Sequence, residues 1–326
     1  MAARPRGERQ GGGPVGHLTG AHPPGRCAGA AAARRGGAAD RGPGDPGRLV
    51  SGLAPGQPRR EHARWGADRA ANAQAFGRPG ASRGASAYPQ IRFVALVENG
   101  THVLFAAEMA GAATGEITLA QAVVPRLQPG MLCLADRQFF GFALWREASA
   151  TGANLLWRVR KNLRLTCEMR LPDGSYLSRI YPGERDWRHK TNGVIVRVID
   201  DVLEGVAEAE PIYRLVTTLL DPEQAPAREL AALYHERWEI ETALDELKTH
   251  LRGARIVLRS KTPDLVQQEF YGLMMAHFAI RGLMHEAALK ADEDPDRLSF
   301  LHAVRVVRRK LPRFPALSPP TAESLP

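Results

Sequence analysis

Within fifteen residues, Tyr234, Arg237, Glu241 and Lys248 supply a phenol, a guanidinium, a carboxylate and an ammonium. A carboxylate is a hard oxygen ligand for a divalent ion, and planar or point cations bind phosphate. At about 100° per residue these four and Asp245 fall in one stripe roughly 80° wide. Leu233, Ile240, Leu244, Leu247 and Leu251 form a second stripe about a quarter-turn away. Two readings stay open on geometry alone. The polar stripe is a solvated face, with Arg237 and Glu241 as an i,i+4 pair worth a few tenths of a kcal/mol, or it is a phosphate-handling face.

A second carboxylate with a telling position is Asp136. It ends Met131-Leu132-Cys133-Leu134-Ala135, a continuous apolar run of the kind that forms a strand buried on both faces. The carboxyl end of such a strand is where open α/β sheets place functional groups. The plain alternative is that Asp136 caps the apolar helix expected over Phe139 to Ala150.

The elements that must hold these residues follow from punctuation and period. The signature stretch contains no Pro or Gly and follows Asp221-Pro222 and Pro226, so one helix is expected from about Ala227. Gln90 to Glu98 and His102 to Met109 read as strands joined at Asn99-Gly100, a hairpin signal. Thr118 to Leu127 reads as a helix and Asn154 to Lys161 as a strand. From about 163 to 220 short strands alternate with turns at Pro172-Asp173-Gly174, Pro182-Gly183 and Asn192-Gly193, and no helical template fits. Lys161, Arg164, Arg185, Arg188, His189 and Lys190 make this stretch basic. Gln267 to Leu289 is expected as a long helix with Phe270, Leu273, Met274, His277, Phe278, Ile280 and Leu283 in the core. Leu298 to Leu311 is expected as a last helix bearing Arg305, Arg308, Arg309 and Lys310, ahead of a disordered tail over 313–326.

Residues 1 to 66 differ from all of this. They hold half of the glycines and a third of the prolines, with no Lys, Ile, Phe or Tyr. Such a composition builds no packed core. It reads either as a basic disordered arm or as GC-rich DNA translated out of frame. Across the whole chain, 44 Lys and Arg against 35 Asp and Glu give a net charge of +9, which suits a polyanionic partner. The three cysteines are too few for a disulfide framework or a zinc site. No apolar run reaches the ~20 residues needed to span a bilayer, and no secretory signal is visible. A cytoplasmic, nucleoid-associated protein is expected.

The spacing Tyr-x2-Arg-x3-Glu-x6-Lys, with Arg237-Trp238-x-Ile240-Glu241 intact inside it, resembles the signature of DDE transposases of the insertion sequence four family. The likeness extends over Leu215 to Asp221, Lys248 to Gly253, and Leu134-Ala135-Asp136-Arg137-x-Phe139-Phe140. It implies a ribonuclease H-like α/β domain over 67–312, a mixed sheet flanked by helices, with a β-rich insertion between the second and third acidic residues. It also implies double-stranded DNA, at element ends and target, as partner, and a homodimer on DNA as one compatible assembly. Asp136 and Glu241 would be catalytic metal ligands for Mg²⁺ or Mn²⁺, cutting and joining phosphodiesters by two-metal in-line transfer. Tyr234, Arg237 and Lys248 would contact DNA phosphates. Relatives carry their first acid in an Asp-Gly-Thr on the opening strand, and no such sequence precedes Asp68. The first strand and its acid are therefore expected to be missing, and the chain to be a damaged, weakly active or inactive transposase. The alternatives are a catalytically silent DNA-binding remnant and a hydrolysis-only, metal-dependent nuclease of the same fold.

Overall fold

The computed structural model of the chain describes residues 49–55, 67–78, 80–81, 84–85, 88–201, 213–251 and 258–313. The first described element is a strand, Leu49–Pro55 (β1), followed by helix Ala70–Phe76 (α1) and a small ribbon, Gly80–Ala81 (β2) with Gly84–Ala85 (β3). The expected hairpin follows as Ile91–Glu98 (β4) and Leu104–Gly111 (β5). Gly100 sits at φ 82° in its turn, a conformation that glycine adopts without steric penalty. Next come Glu116–Val123 (α2), Leu132–Ala135 (β6), Phe142–Ala150 (α3) and Asn154–Arg158 (β7).

The β-rich stretch contributes Met169–Arg170 (β8), Tyr176–Ile180 (β9), Val194–Asp201 (β10) and Tyr213–Thr217 (β11). It also contains a six-residue helix, Glu184–His189 (α4), where no helix was expected. Glu184 and Asp186 in its first turn and Arg188 and His189 in its last complement the helix dipole.

Nine strands among the described residues form one sheet in the order β5-β4-β1-β6-β7-β11-β10-β9-β8. β1 runs antiparallel to β4 and parallel to β6, with Val50 opposite Cys133. β6 and β7 are parallel, with Ala135 opposite Trp157. The β-rich insertion does not form a separate layer: it extends this sheet through β11 on β7. The expectation of a sheet without its opening strand is therefore corrected, because Leu49–Pro55 fills the place between β4 and β6. A seven-residue segment with Leu49, Val50, Leu53 and Ala54 suffices once two neighbours offer free backbone edges. The remainder of residues 1–66, apart from Leu49–Pro55, lies outside the described residues, as does 314–326 of the expected tail.

The signature stretch opens as helix Ala227–His235 (α5), as expected, but it is not one uniform helix. A 3₁₀ turn, Glu236–Trp238, leads into Glu239–Asp245 (α6), which continues as a π-helical segment, Glu246–Leu251. Pro263–Ala291 (α7) and Phe300–Lys310 (α8) complete the fold.

The helices cover both faces of the sheet. On one face α2 and α3 pack on Val94, Leu96, Cys133, Ala135, Leu155 and Trp157, with Trp145 edge-on to Trp157 at 5.2 Å. On the other, α5 covers Leu134, Leu156, Ile199 and Leu215, while α6, α7 and α8 cover Phe93, Ala95 and Val97. Among the described residues no helix is long and apolar enough to cross a membrane.

Candidate active site

Asp136 stands directly after β6, and the alternation of the strand decides which way it faces. Cys133 and Ala135 point to the α2 and α3 side, while Leu134 points to α5. Asp136, two residues after Leu134, belongs to the α5 side. There the parallel register brings Arg158 alongside, with Nη1 3.7 Å from Asp136 Oδ1. Arg158 also stacks its guanidinium 3.9 Å from the centre of the Tyr213 ring. Asp136 Oδ1 is buried and makes no hydrogen bond.

Tyr234 reaches the same corner from α5. Its hydroxyl donates a hydrogen bond of 3.2 Å to the carbonyl oxygen of Ala135. Burial pushes the phenol well above its ordinary pKa, Arg237 and Arg158 draw it back, and the charge of Asp136 adds to the rise. The phenol thus stays protonated and remains a donor. This corrects the solvated-stripe geometry, since Tyr234 is 3% exposed and packs with Leu134, Leu156 and Leu230.

The reason lies in the helix itself. A 3₁₀ residue turns 120° rather than 100°, so three of them rotate everything after them by about 60°. Arg237, half-buried within that turn, keeps its guanidinium 5.8 Å from the Tyr234 ring. Glu241 is then exposed on α6, a helix that packs against β1, the immediate neighbour of β6. Lys248 falls in the π-helical segment, and its side chain lies outside the described residues. Tyr234, Arg237 and Asp136 are thus gathered at one corner.

Several residues at this corner escaped the sequence reading. Arg158 carries no motif, and only the β6–β7 register reveals it. A cavity of about 610 Å³ opens beside Arg137, the residue after Asp136, lined among others by Phe140, Arg160, Arg164, Tyr181 and Trp187. Arg164 stacks over Trp187 at 5.1 Å, and Lys190 lies 4.8 Å from the same ring. The interleaving of cations and aromatics was visible in the sequence only as scattered basic residues.

The fit to a divalent metal is incomplete. The unbonded Oδ1 of Asp136 is a suitable oxygen donor. However, no group of three or more His, Cys, Asp or Glu that could hold a metal ion occurs among the described residues. β1, alongside β6, reads Leu-Val-Ser-Gly-Leu-Ala-Pro and brings no acid.

Two further polar clusters brace the site. The buried Arg197 of β10 binds Asp173, the Ser175 hydroxyl at 2.8 Å and the Ala225 carbonyl at 2.7 Å. Asp173 in turn accepts from the Ala227 backbone N–H at 2.9 Å, anchoring the start of α5. At the far end, Glu246 accepts from Arg281 Nε at 2.9 Å and sits 3.2 Å from His277 Nε2. His277 is a core histidine with a carboxylate partner, as expected. Arg308 donates to the Leu251 carbonyl at 2.8 Å, so it closes the π-helical segment instead of joining a free basic patch.

The family described as Transposase DDE domain matches residues 56–279, a span that includes Asp136 and the whole signature. Transposase InsG for insertion sequence element IS4, from Escherichia coli strain K12, is 29% identical over 259 residues, covering 77% of this chain and 57% of that protein. The chain therefore spans little more than half the length of this curated relative. A cryo-EM structure of a piggyBac transposase synaptic complex with hairpin DNA aligns at a TM-score of 0.45 with 13% identity, over 86% of this chain and 56% of that one. With its signature spacing intact and more than half of its length matched, the chain belongs to the DDE transposases of the insertion sequence four family.

Proposed function

We propose that this chain is the phosphodiester-handling domain of an insertion-sequence transposase, with a ribonuclease H-like sheet, whose acidic set is incomplete as written. The observation that carries this is the composition of β1: the strand beside Asp136 contains no carboxylate. DDE transposases use divalent metals. Asp136 and Glu241 would hold such an ion, Mg²⁺ or Mn²⁺, and two carboxylates do not complete a two-ion centre. Strand cutting and joining are therefore expected to be weak or absent.

The remaining groups suit binding of double-stranded DNA. The planar fork of Arg237 and the ammonium of Lys248 pair with phosphate oxygens. Tyr234 holds the strand end that bears Asp136. Arg160, Arg164 and Lys190, with Trp187 and Tyr181, offer cations and stacking surfaces along the cavity beside Arg137. Residues 1–66, apart from the strand Leu49–Pro55, are assigned to a damaged or frameshifted segment, consistent with their composition.

The test uses the full chain with supercoiled DNA carrying the terminal inverted repeats of the element. Retention of the DNA at low salt without Mg²⁺- or Mn²⁺-dependent nicking is the expected result. Nicking that Glu241→Ala removes would overturn the incomplete-site reading. Failure to retain DNA at about 50 mM salt would overturn the DNA-binding reading.

A further inference from the structure

The signature stretch ends in an uncommon winding. Glu246–Leu251 is π-helical, a rare geometry that is frequent at functional sites. Apolar packing does not call for it. On an α-helix Ile240, Leu244, Leu247 and Leu251 fall within about 60° of one another, so a straight continuation of α6 would bury all four. Such a helix would leave out Glu246, which would stand about 140° from Leu251. Yet Glu246 and Leu251 are 5% and 8% exposed. A π-helix turns only about 82° per residue, which brings residues five apart to within about 50°. Glu246 and Leu251 therefore share a buried side in this winding and not in the α-helical one.

Both ends of the segment are held by arginines from other helices. The Glu246 carboxylate accepts two bonds from Arg281 of α7, the one from Nε at 2.9 Å. His277 Nε2 lies 3.2 Å from it, and His102 Nδ1, from the β4–β5 turn, 3.6 Å. At the other end Arg308 of α8 donates to the Leu251 carbonyl at 2.8 Å. Position 248 lies between these two holds, two residues after the first.

We propose that Glu246 is a positioning residue: clasped by Arg281, His102 and His277, it keeps the segment π-wound and so fixes the angle at which position 248 stands to Glu241. On an uninterrupted α-helix the seven-residue spacing puts these two about 20° apart, and two π steps widen this to about 55°. Released, the segment rewinds to the α-helical geometry that its apolar residues also satisfy. Position 248 then swings by about 35°, which carries the end of a long side chain several ångströms away from a phosphate. The role rests on the reading of Lys248 as a phosphate-binding group, and adds that a buried carboxylate, out of reach of DNA, governs it.

Fluorescence anisotropy of the full chain with a duplex of fixed length, over about 50 to 200 mM salt, reads this role. Lys248→Ala is expected to lower the slope of log affinity against log salt by about 1, which tests the phosphate contact by itself. Glu246→Leu with Arg281→Met exchanges the ion pair for apolar side chains of similar volume, a change that buried pairs often tolerate. It also leaves the net charge as it was. With circular dichroism and a cooperative melt retained, this double variant is expected to lower the slope by about the same 1, and Lys248→Ala added to it lowers the slope no further. Glu246→Gln keeps the shape of the side chain and raises the net charge by one. Charge alone would then strengthen DNA binding, whereas loss of position weakens it, and this variant decides should the double variant not fold. An unchanged slope in the folded double variant, losses that add on combination with Lys248→Ala, or affinity unchanged or raised in Glu246→Gln overturns the positioning role. An unchanged slope in Lys248→Ala overturns the phosphate contact itself, and the role with it.

Discussion

Tyr234 donates to the carbonyl oxygen of Ala135 at 3.2 Å, tying the signature helix to the end of the strand that presents Asp136. The bond is buried, and burial holds the phenol protonated well above its ordinary range. Its contribution separates cleanly from that of the ring. Tyr234→Phe keeps the packing against Leu134 and Leu156 and loses the hydroxyl's bond to the Ala135 carbonyl together with its contact with Arg237. Destabilisation of about 1 kcal/mol is expected in urea titration, against about 3 to 5 kcal/mol for Tyr234→Ala, which also opens a cavity. Equal losses for the two variants would show that the hydroxyl, and not the ring, carries the anchor.

The insertion and the signature helix meet at Arg197. Its guanidinium is fully buried and serves Asp173, Ser175 and the carbonyls of Leu219, Asp221 and Ala225. Burial alone would raise the Asp173 carboxyl, but hydrogen bonds from Ser175 and Ala227 and the charge of Arg197 outweigh it and hold the group below its ordinary value. Arg197→Met strands a carboxylate and three carbonyls, so a loss of about 3 to 5 kcal/mol is expected in thermal unfolding. The variant Asp173→Asn, which keeps the shape and a neutral acceptor at the start of α5, should lose less. The reverse order would place the weight on Asp173 as helix cap.

Much of this framework was legible from local pattern. The Asn99-Gly100 hairpin, the apolar run ending at Asp136 and the start at Ala227 depend on neighbours in sequence, and each lies where the pattern places it. What depends on partners distant in sequence was not legible. Arg158 meets Asp136 only through the parallel register of β6 on β7. β1 is short, carries Gly52 and Pro55 within a stretch that shows no strand period, and its place between β4 and β6 depends on partners distant in sequence. Tyr234 left the polar stripe because a 3₁₀ turn rotates the helix after it. Helical period alone likewise placed Phe278 and Leu283 in the core, whereas both are exposed on α7, since period gives the spacing of apolar residues and not the width of the buried stripe.

Acid should loosen the far end of the signature helix first. The Glu246 carboxyl is held down at about 2: burial raises it, but hydrogen bonds with His102 and His277 and the Arg281 charge outweigh this. Burial pushes His277 below its ordinary value of 6.5, despite the pull of Glu246. Both folded-state values are depressed. Each therefore contributes stability that is full above the unfolded pKa and is lost as pH falls, from about 6.5 for His277 and from about 4.5 towards 2 for Glu246. The Glu246 share is about 3 kcal/mol. Unfolding free energy measured from pH 7 to pH 3 should decline throughout. In Glu246→Gln it should start lower and flatten below pH 4.5. An unchanged slope there would assign the acid sensitivity to other carboxylates.

The basic insertion should account for part of any DNA affinity, but its cations are not equivalent. Arg164 and Arg188 already pair with Glu184, at 3.3 and 3.2 Å. Arg185 is exposed, and Lys190 is held over Trp187 and Tyr181 without a carboxylate partner among the described residues. Cations free of internal carboxylates are the ones that displace counterions from a phosphate backbone. Replacing Arg185 and Lys190 with Ala should therefore reduce the slope of log affinity against log salt by about 2. The same change at Arg164 and Arg188 should reduce it by less than 1, because Glu184 already neutralises much of their charge and they displace few counterions. Fluorescence anisotropy with a duplex of fixed length, over about 50 to 200 mM salt, distinguishes the pairs. Equal reductions would mean that the Glu184 pairs open on contact with DNA and that all four cations face the backbone.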